Sequence, residues 1–231
     1  AAVVTVVRGP AELLGHKLMV YDDGSTFGTL SAELDTAVLE LARAALTSGH
    51  AQRLTLSQAT EPAEVFIEVN LPSPTLVIVG GVHIAIALTA IAKALGYRTV
   101  VVDPRRAFGS EVRFPHADRL IRAWPDEALA QVGLTSSTAV VMLTHDPKLD
   151  DPALKIALSS PAFYIGALGS RTTQAKRRRR LLEAGLSEAQ LARLHGPIGL
   201  DLGARTPEEI ALAVMAQIVA VRNGRQTTDG R

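Results

Sequence analysis

A chain of 231 residues, 47% apolar and 20% charged, is long enough for one large domain or two small ones with a real core. Its formal net charge of +1 supplies no general field for nucleic acid or a membrane surface. The absence of cysteine excludes disulfides, thiolate metal sites and a cysteine nucleophile, and it fits a reducing compartment.

Residues 1–7 are apolar, but Arg8 and Pro10 follow and no basic stretch precedes them. A secretory leader is therefore not expected, and a cytoplasmic location is. Ala2 to Val7 and Lys17 to Tyr21 read as strands, and Asp23-Gly24 signals a hairpin before Thr26 to Leu30. Ser31 can cap a helix whose apolar residues Leu34, Ala37, Val38, Leu41 and Ala45 recur at helical spacing, with Gly49 at its end. Gln52 to Leu56 and Glu64 to Val69 read as further strands. Residues 1–70 are thus expected to be a small α+β domain. Residues 71–75 form a linker, stiffened because Pro72 and Pro74 disfavour helix in the residues before them.

Residues 76–222 alternate strand and helix in the manner of a doubly wound parallel Rossmann-type sheet, an α/β fold. The apolar run Leu76 to Ala92 is broken by Gly80-Gly81 into a strand and an Ala-rich helix, so it is not a membrane span. Strands are expected at 75–79, 99–102, 118–121, 138–143, 162–165 and 197–199. Helices are expected at 83–95, 125–132, 152–158, 172–184 and 207–221. Thr206, Pro207 and Glu209 mark the start of the last helix by a capping box. Residues 223–231 read as a polar tail.

Five stretches carry chemistry. Gly80-Gly81-Val82-His83 opens a helix after a strand, where a dinucleotide-binding fold places its phosphate turn, and Asp103 falls near the ribose position. Val82 stands where a second glycine would let backbone approach a pyrophosphate. Losing two charge-assisted amide contacts would remove about 3–6 kcal/mol, so NAD(P) is expected to bind only weakly. Arg105 and Arg106 after Asp103 suit a phosphate-bearing ligand. Thr144-His145-Asp146 follows the fourth strand, where ligands bind, and His145 and Asp146 suit acid–base work or metal binding. Asp150 and Asp151 fit either a site or a helix cap. Gly169-Ser170-Arg171 at a helix start can hold an anion. Gly199, Asp201 and Gly203 lie in a glycine-rich stretch able to approach a ligand, while His195 is open between site and structure. The basic run Lys176 to Arg180 has no interleaved aromatic residue and reads as a solvated helix face, not a nucleic-acid patch.

The stretches Thr144 to Leu154, Phe163 to Arg171 and His195 to Ala211 together resemble the xanthine dehydrogenase accessory family of the XdhC/CoxI type. The resemblance extends over about residues 2–222. It implies a cofactor-handling chaperone rather than a catalytic enzyme, one that binds molybdenum cofactor (molybdopterin), protects it and helps deliver it in sulfurated form to a xanthine dehydrogenase-like molybdenum hydroxylase; an NAD(P)-dependent oxidoreductase and a ligand-free docking scaffold are the alternatives. That hydroxylase is the implied partner, with a cysteine desulfurase and a second copy of the chain as further candidates, and no nucleic acid or membrane. Two departures stand out. The family's Gly-Gly-Cys-x-Glu before the N-terminal helix is replaced by Ser31-Ala32-Glu33-Leu34-Asp35, and its Gly-x-Gly-His turn by Gly80-Gly81-Val82-His83. No catalytic residue and no protein-held metal are expected. The expected cofactor-binding set is Gly80, Gly81, His83, Asp103, Arg105, Thr144, His145, Asp146, Gly169, Ser170, Arg171, Gly199, Asp201 and Gly203.

Overall fold

The computed structural model describes residues 1–56, 62–105 and 110–225. Arg106 and the end of the tail lie outside the described residues. The chain divides into two compact units, Ala1–Pro72 and Ser73–Arg231.

In the first unit, β1 (Ala2–Arg8), β2 (Lys17–Val20), β3 (Thr26–Thr29), β4 (Gln52–Leu56) and β5 (Ala63–Val69) form an antiparallel sheet in the order β3-β2-β1-β5-β4. Residues of one parity, among them Val4, Val6, Leu18, Val20, Val65 and Ile67, are buried on one face. Helix α1 (Ala32–Ser48) covers that face with Leu34, Val38, Ala42 and Ala45, a stripe at helical spacing. The stretch Ser31–Asp35 serves as the start of this helix. Ser31 Oγ accepts from the Leu34 N–H at 3.2 Å, and Asp35 accepts from the Leu30 N–H at 2.7 Å and the Thr29 hydroxyl at 2.6 Å.

In the second unit, six parallel strands take the order β11-β10-β9-β6-β7-β8. They are β6 (Thr75–Val79), β7 (Arg98–Val102), β8 (Arg119–Ile121), β9 (Thr138–Met142), β10 (Tyr164–Ala167) and β11 (Leu194–His195). The strands near the middle are buried on both faces, which is why Leu76 to Val79 and Thr138 to Met142 read as unbroken apolar runs. On one face Val77, Val79, Val100, Val140 and Met142 pack against α3 (Pro125–Val132), α4 (Pro147–Leu158) and α5 (Arg171–Glu183). On the other, Leu76, Ile78, Val101 and Val141 pack against α2 (His83–Ala94) and α7 (Pro207–Arg222). The chain leaves β6 toward β7 and β8, then returns to β9 on the opposite side. The topological switch point therefore lies between β6 and β9, at their carboxyl ends.

Three local expectations are revised and one element is added. Helix α4 begins at Pro147, well before 152, because Asp146 caps it and Pro147 suits the first helical position; Pro152 sits inside and gives up one ladder bond. Strand β10 runs two residues later than 162–165. Strand β11 lies at Leu194–His195 instead of 197–199, since Pro197 has no N–H for a ladder. A short helix α6 (Glu188–Leu191), closed by a capping box of Ser187 and Gln190, is an element that the apolar pattern does not signal. Among the described residues no helix is long and apolar enough to cross a membrane.

Buried Gln217 of α7 accepts from the Tyr164 hydroxyl at 2.6 Å and from the Gly199 N–H at 2.8 Å. Gln217→Leu keeps the volume and removes the acceptor. It is expected to destabilise by about 1–3 kcal/mol for each donor left without a partner, read as a lower urea midpoint with an unchanged slope.

Candidate functional site

At the switch point the loops after β6, β7 and β9 line an open cavity of about 450 Å³. The residues that line it are Val82, Arg105, Leu143, Thr144, His145, Asp146 and Pro147. Four expected site residues, Arg105, Thr144, His145 and Asp146, are thus brought together.

Gly80 follows β6 with φ +106°, a conformation that favours glycine, and a Cβ there would meet the Thr144 methyl at 2.7 Å. Thr144 is therefore the wall of the turn as well as of the cavity. Gly81 follows, and its N–H donates to Asp103 Oδ2 at 2.8 Å. The same buried carboxylate accepts three bonds from Arg105. These run from the backbone N–H at 2.9 Å, from Nε at 2.9 Å and from Nη2 at 2.8 Å. Burial pushes the Asp103 carboxyl up, but the Arg105 side chain, the Gly81 N–H and the Arg105 N–H outweigh it, leaving the pKa below its ordinary value. The Arg105 pKa is raised chiefly by these bonds to Asp103, with the nearby Asp146 charge adding to the effect. Asp103 sits where a dinucleotide fold would meet a ribose, yet both its oxygens are engaged by its own chain.

Helix α2 starts at His83 behind Val82, which provides no side-chain cap, and His83 is exposed. His145 is exposed beside Asp146, whose carboxylate caps α4 by accepting from the Lys148 N–H at 2.9 Å. Ser170 caps α5 by accepting from the Thr173 N–H at 3.3 Å, and Arg171 is the first residue of that helix, exposed. Gly169, Ser170 and Arg171 follow β10, the neighbour of β9, but are not among the lining residues of the cavity. Gly199, Asp201 and Gly203 follow β11 and do not line it either; Asp201 and Gly203 are exposed. His195 ends its strand and stacks on Tyr164, with ring centroids 4.8 Å apart and planes 8° apart. It is paired beside Gly166 in the sheet, and its ring lies against the first residue of β10.

Sequence models of two families match the chain: the XdhC Rossmann domain over residues 76–218 and the XdhC and CoxI family over residues 1–57. The chain belongs to the XdhC and CoxI family. It is 30% identical over 229 residues to a protein called YqeB from Escherichia coli (strain K12), covering 94% of this chain and 42% of that protein. It is 32% identical over 169 residues to a probable xanthine dehydrogenase subunit of Bacillus subtilis (strain 168), covering 73% and 49%. It is 31% identical over 151 residues to the molybdenum cofactor insertion chaperone PaoD of E. coli (strain K12), covering 65% and 41%. The chain thus spans less than half the length of these relatives. A solved structure described as a xanthine dehydrogenase from Bacillus halodurans aligns with a TM-score of 0.59 at 20% identity, covering 97% of this chain and 92% of that one. It shares the XdhC fold.

The basic run on α5 corrects an expectation. Arg177 is not on a solvated face but 2% exposed, bonded to Asp150, which is itself 1% exposed. Arg180 makes a two-point pair with Asp151 at 2.6 and 3.0 Å, and Arg178 pairs with Glu188. The signal for Arg177 was its place four residues before buried Leu181, on the inward face. Asp150 likewise shares a helix face with Ala153, Leu154 and Ala157.

The Asp103–Arg105 pair generates a test. The folded pKa of Asp103 lies below the ordinary 3.8, so its contribution to stability is complete above that value and is lost as pH falls through the folded value. Asp103→Asn should therefore cost about 1–3 kcal/mol near neutral pH. The gap in melting temperature from the parent should narrow as the pH falls below 3.8, where the parent's carboxyl also takes up a proton.

Proposed function

We propose that this chain belongs to an accessory protein that binds molybdenum cofactor and aids its maturation and insertion into a xanthine dehydrogenase-like molybdenum hydroxylase. The observation that carries the reading is the cavity at the switch point of an XdhC Rossmann domain, with a cation on one wall and an exposed histidine on another. The names of two relatives, one a molybdenum cofactor insertion chaperone and one a probable xanthine dehydrogenase subunit, point the same way.

The residues present fit a phosphate-bearing pterin. A volume of about 450 Å³ falls in the range of small-ligand sites. Val82, Leu143 and Pro147 offer apolar surface to a flat ring, and Arg105, held in place by Asp103, meets an anionic group. His145 and Asp146 orient the pterin edge. The phosphate would lie toward Arg105, because the Gly80 and Gly81 N–H groups are engaged by Val102 and Asp103, and the Ser170-Arg171 helix start would offer a further anion site outside the cavity lining. The cofactor, when bound, supplies the molybdenum chemistry needed by the target enzyme. Without cysteine, this chain offers the metal no thiolate, and its own part is to bind and shield. Delivery in sulfurated form would make a cysteine desulfurase a second partner beside the hydroxylase, with self-association as a homodimer. A nicotinamide dinucleotide suits the site less well, because Val82 crowds the phosphate turn and Asp103 is already fully bonded.

Protein purified from a molybdenum-replete host should carry molybdenum and a fluorescent oxidised pterin in similar amounts; absence of both overturns the reading. His145→Ala should lose cofactor retention roughly tenfold or more while its melting temperature stays unchanged, since the side chain is exposed. A lowered melting temperature with full retention would instead make His145 a structural residue.

Arg171→Ala should weaken retention clearly more than Arg178→Ala, whose guanidinium is paired with Glu188 well along the helix. Equal losses would mean that general charge, not a site, attracts the ligand.

A further inference from the structure

The loops at the carboxyl edge are joined by one chain of contacts, buried at Thr144, Asp150 and Arg177. Gly80, after β6, packs against the Thr144 methyl, after β9. The Thr144 hydroxyl donates to Asp150. Asp150 Oδ2 accepts from Arg177 Nη2 at 3.0 Å. Arg177 also donates to the Leu168 carbonyl, after β10, at 3.1 Å and to Gln174 Oε1 at 2.6 Å. The Gln174 amide donates in turn to the carbonyls of Ala167 at 2.8 Å and Gly169 at 3.3 Å. Gly196, after β11, lies against the same side chain, since a Cβ there would meet Gln174 at 2.6 Å.

Core packing does not call for an arginine at this place. A guanidinium and a carboxylate taken out of water carry a large desolvation penalty, and an apolar pair of similar volume is often as stable. Here the penalty is aggravated, because the Arg177 Nε is buried without a hydrogen-bond partner. What arginine supplies and an apolar residue does not is a rigid fork that reaches a carboxylate on another helix, the Leu168 carbonyl on a loop and Gln174 on its own helix at once.

We propose that Arg177 and Asp150 are a positioning pair, which holds the cavity wall at Thr144 to Pro147 and the turn at Leu168 to Arg171 in the one relative arrangement that the ligand needs, without touching the ligand. The ligand half of this statement rests on the cofactor reading above; the loop half does not. The pair acts on the site through Thr144 on one side and through the Leu168 carbonyl and Gln174 on the other.

The test uses the full chain. Arg177→Ala and Asp150→Ala each leave a charge buried alone and should lower the melting temperature strongly. The double substitution Arg177→Met with Asp150→Leu removes both charges and should recover most of that loss. At this recovered stability, amide exchange at 144–146 and 168–173 should still be faster than in the parent. Affinity for molybdenum cofactor released from a molybdoenzyme should fall roughly tenfold to a hundredfold. Thr144→Val is the milder probe. It keeps the methyl against Gly80 but cuts the link to Asp150, so exchange should rise at 168–173, on the far side of the pair. Parental exchange at 168–173 in Thr144→Val, or parental exchange and affinity in a stable double variant, overturns the proposal. A parent that binds no cofactor, with exchange changed as expected, overturns the cofactor reading and leaves the loop coupling standing.

Discussion

Two carboxylates, Asp103 and Asp150, are buried at the carboxyl edge of the parallel sheet, and each must be neutralised where it stands. Each is met by an arginine from a different position along the chain. Arg105 folds back two residues onto Asp103, and Arg177 reaches Asp150 from the next helix. The rest of the edge follows from these two pairs. The Asp103 pair fixes the Gly81 turn against the end of β7, and the Asp150 pair fixes the wall after β9 against the turn after β10. The cavity lies where the two meet.

This arrangement gives the Rossmann unit a different character from that of a dinucleotide-binding relative in shape. The acidic residue at the end of β7, which elsewhere is available to a ribose, here orders its own loop and sets the direction of an arginine. The phosphate turn carries a valine where backbone approach would need glycine. Under the proposed cofactor role, Arg105 would meet an anionic group and Val82, Leu143 and Pro147 a flat apolar face. In the antiparallel unit, the stretch that departs from the cysteine-bearing family pattern is a helix start instead. Ser31 and Asp35 close the first turn of α1 and the end of β3 by hydrogen bonds, so that segment is a structural element in its own right.

Much of the fold is legible in the sequence because its signals are local. Continuous β-branched runs mark strands buried on both faces. Thr206, Pro207 and Glu209 mark a helix start at which the structure contains a full capping box. Ser31 and Gly49 bracket α1 as its cap chemistry requires. Strand β11 lies away from its expected place because a two-residue strand has no periodicity to read, and the single helical turn of α6 has little more. Helix α4 starts earlier than its apolar pattern suggests, because Pro147 and not Pro152 fills the first-turn position.

By itself the sequence determined the alternation of strands and helices, the break at Gly80-Gly81, the family and the stretches around the site, since each rests on neighbours in the chain. The tertiary structure alone decided which of those residues meet. It placed Arg105 beside His145 and Asp146, engaged Asp103 with Gly81 across 22 residues and drew Arg177 inward to Asp150 across 27. The physical reason is that a buried charge is stabilised by whatever partner the fold brings within reach. Nothing in the local pattern of a basic helix names a carboxylate on another helix as that partner.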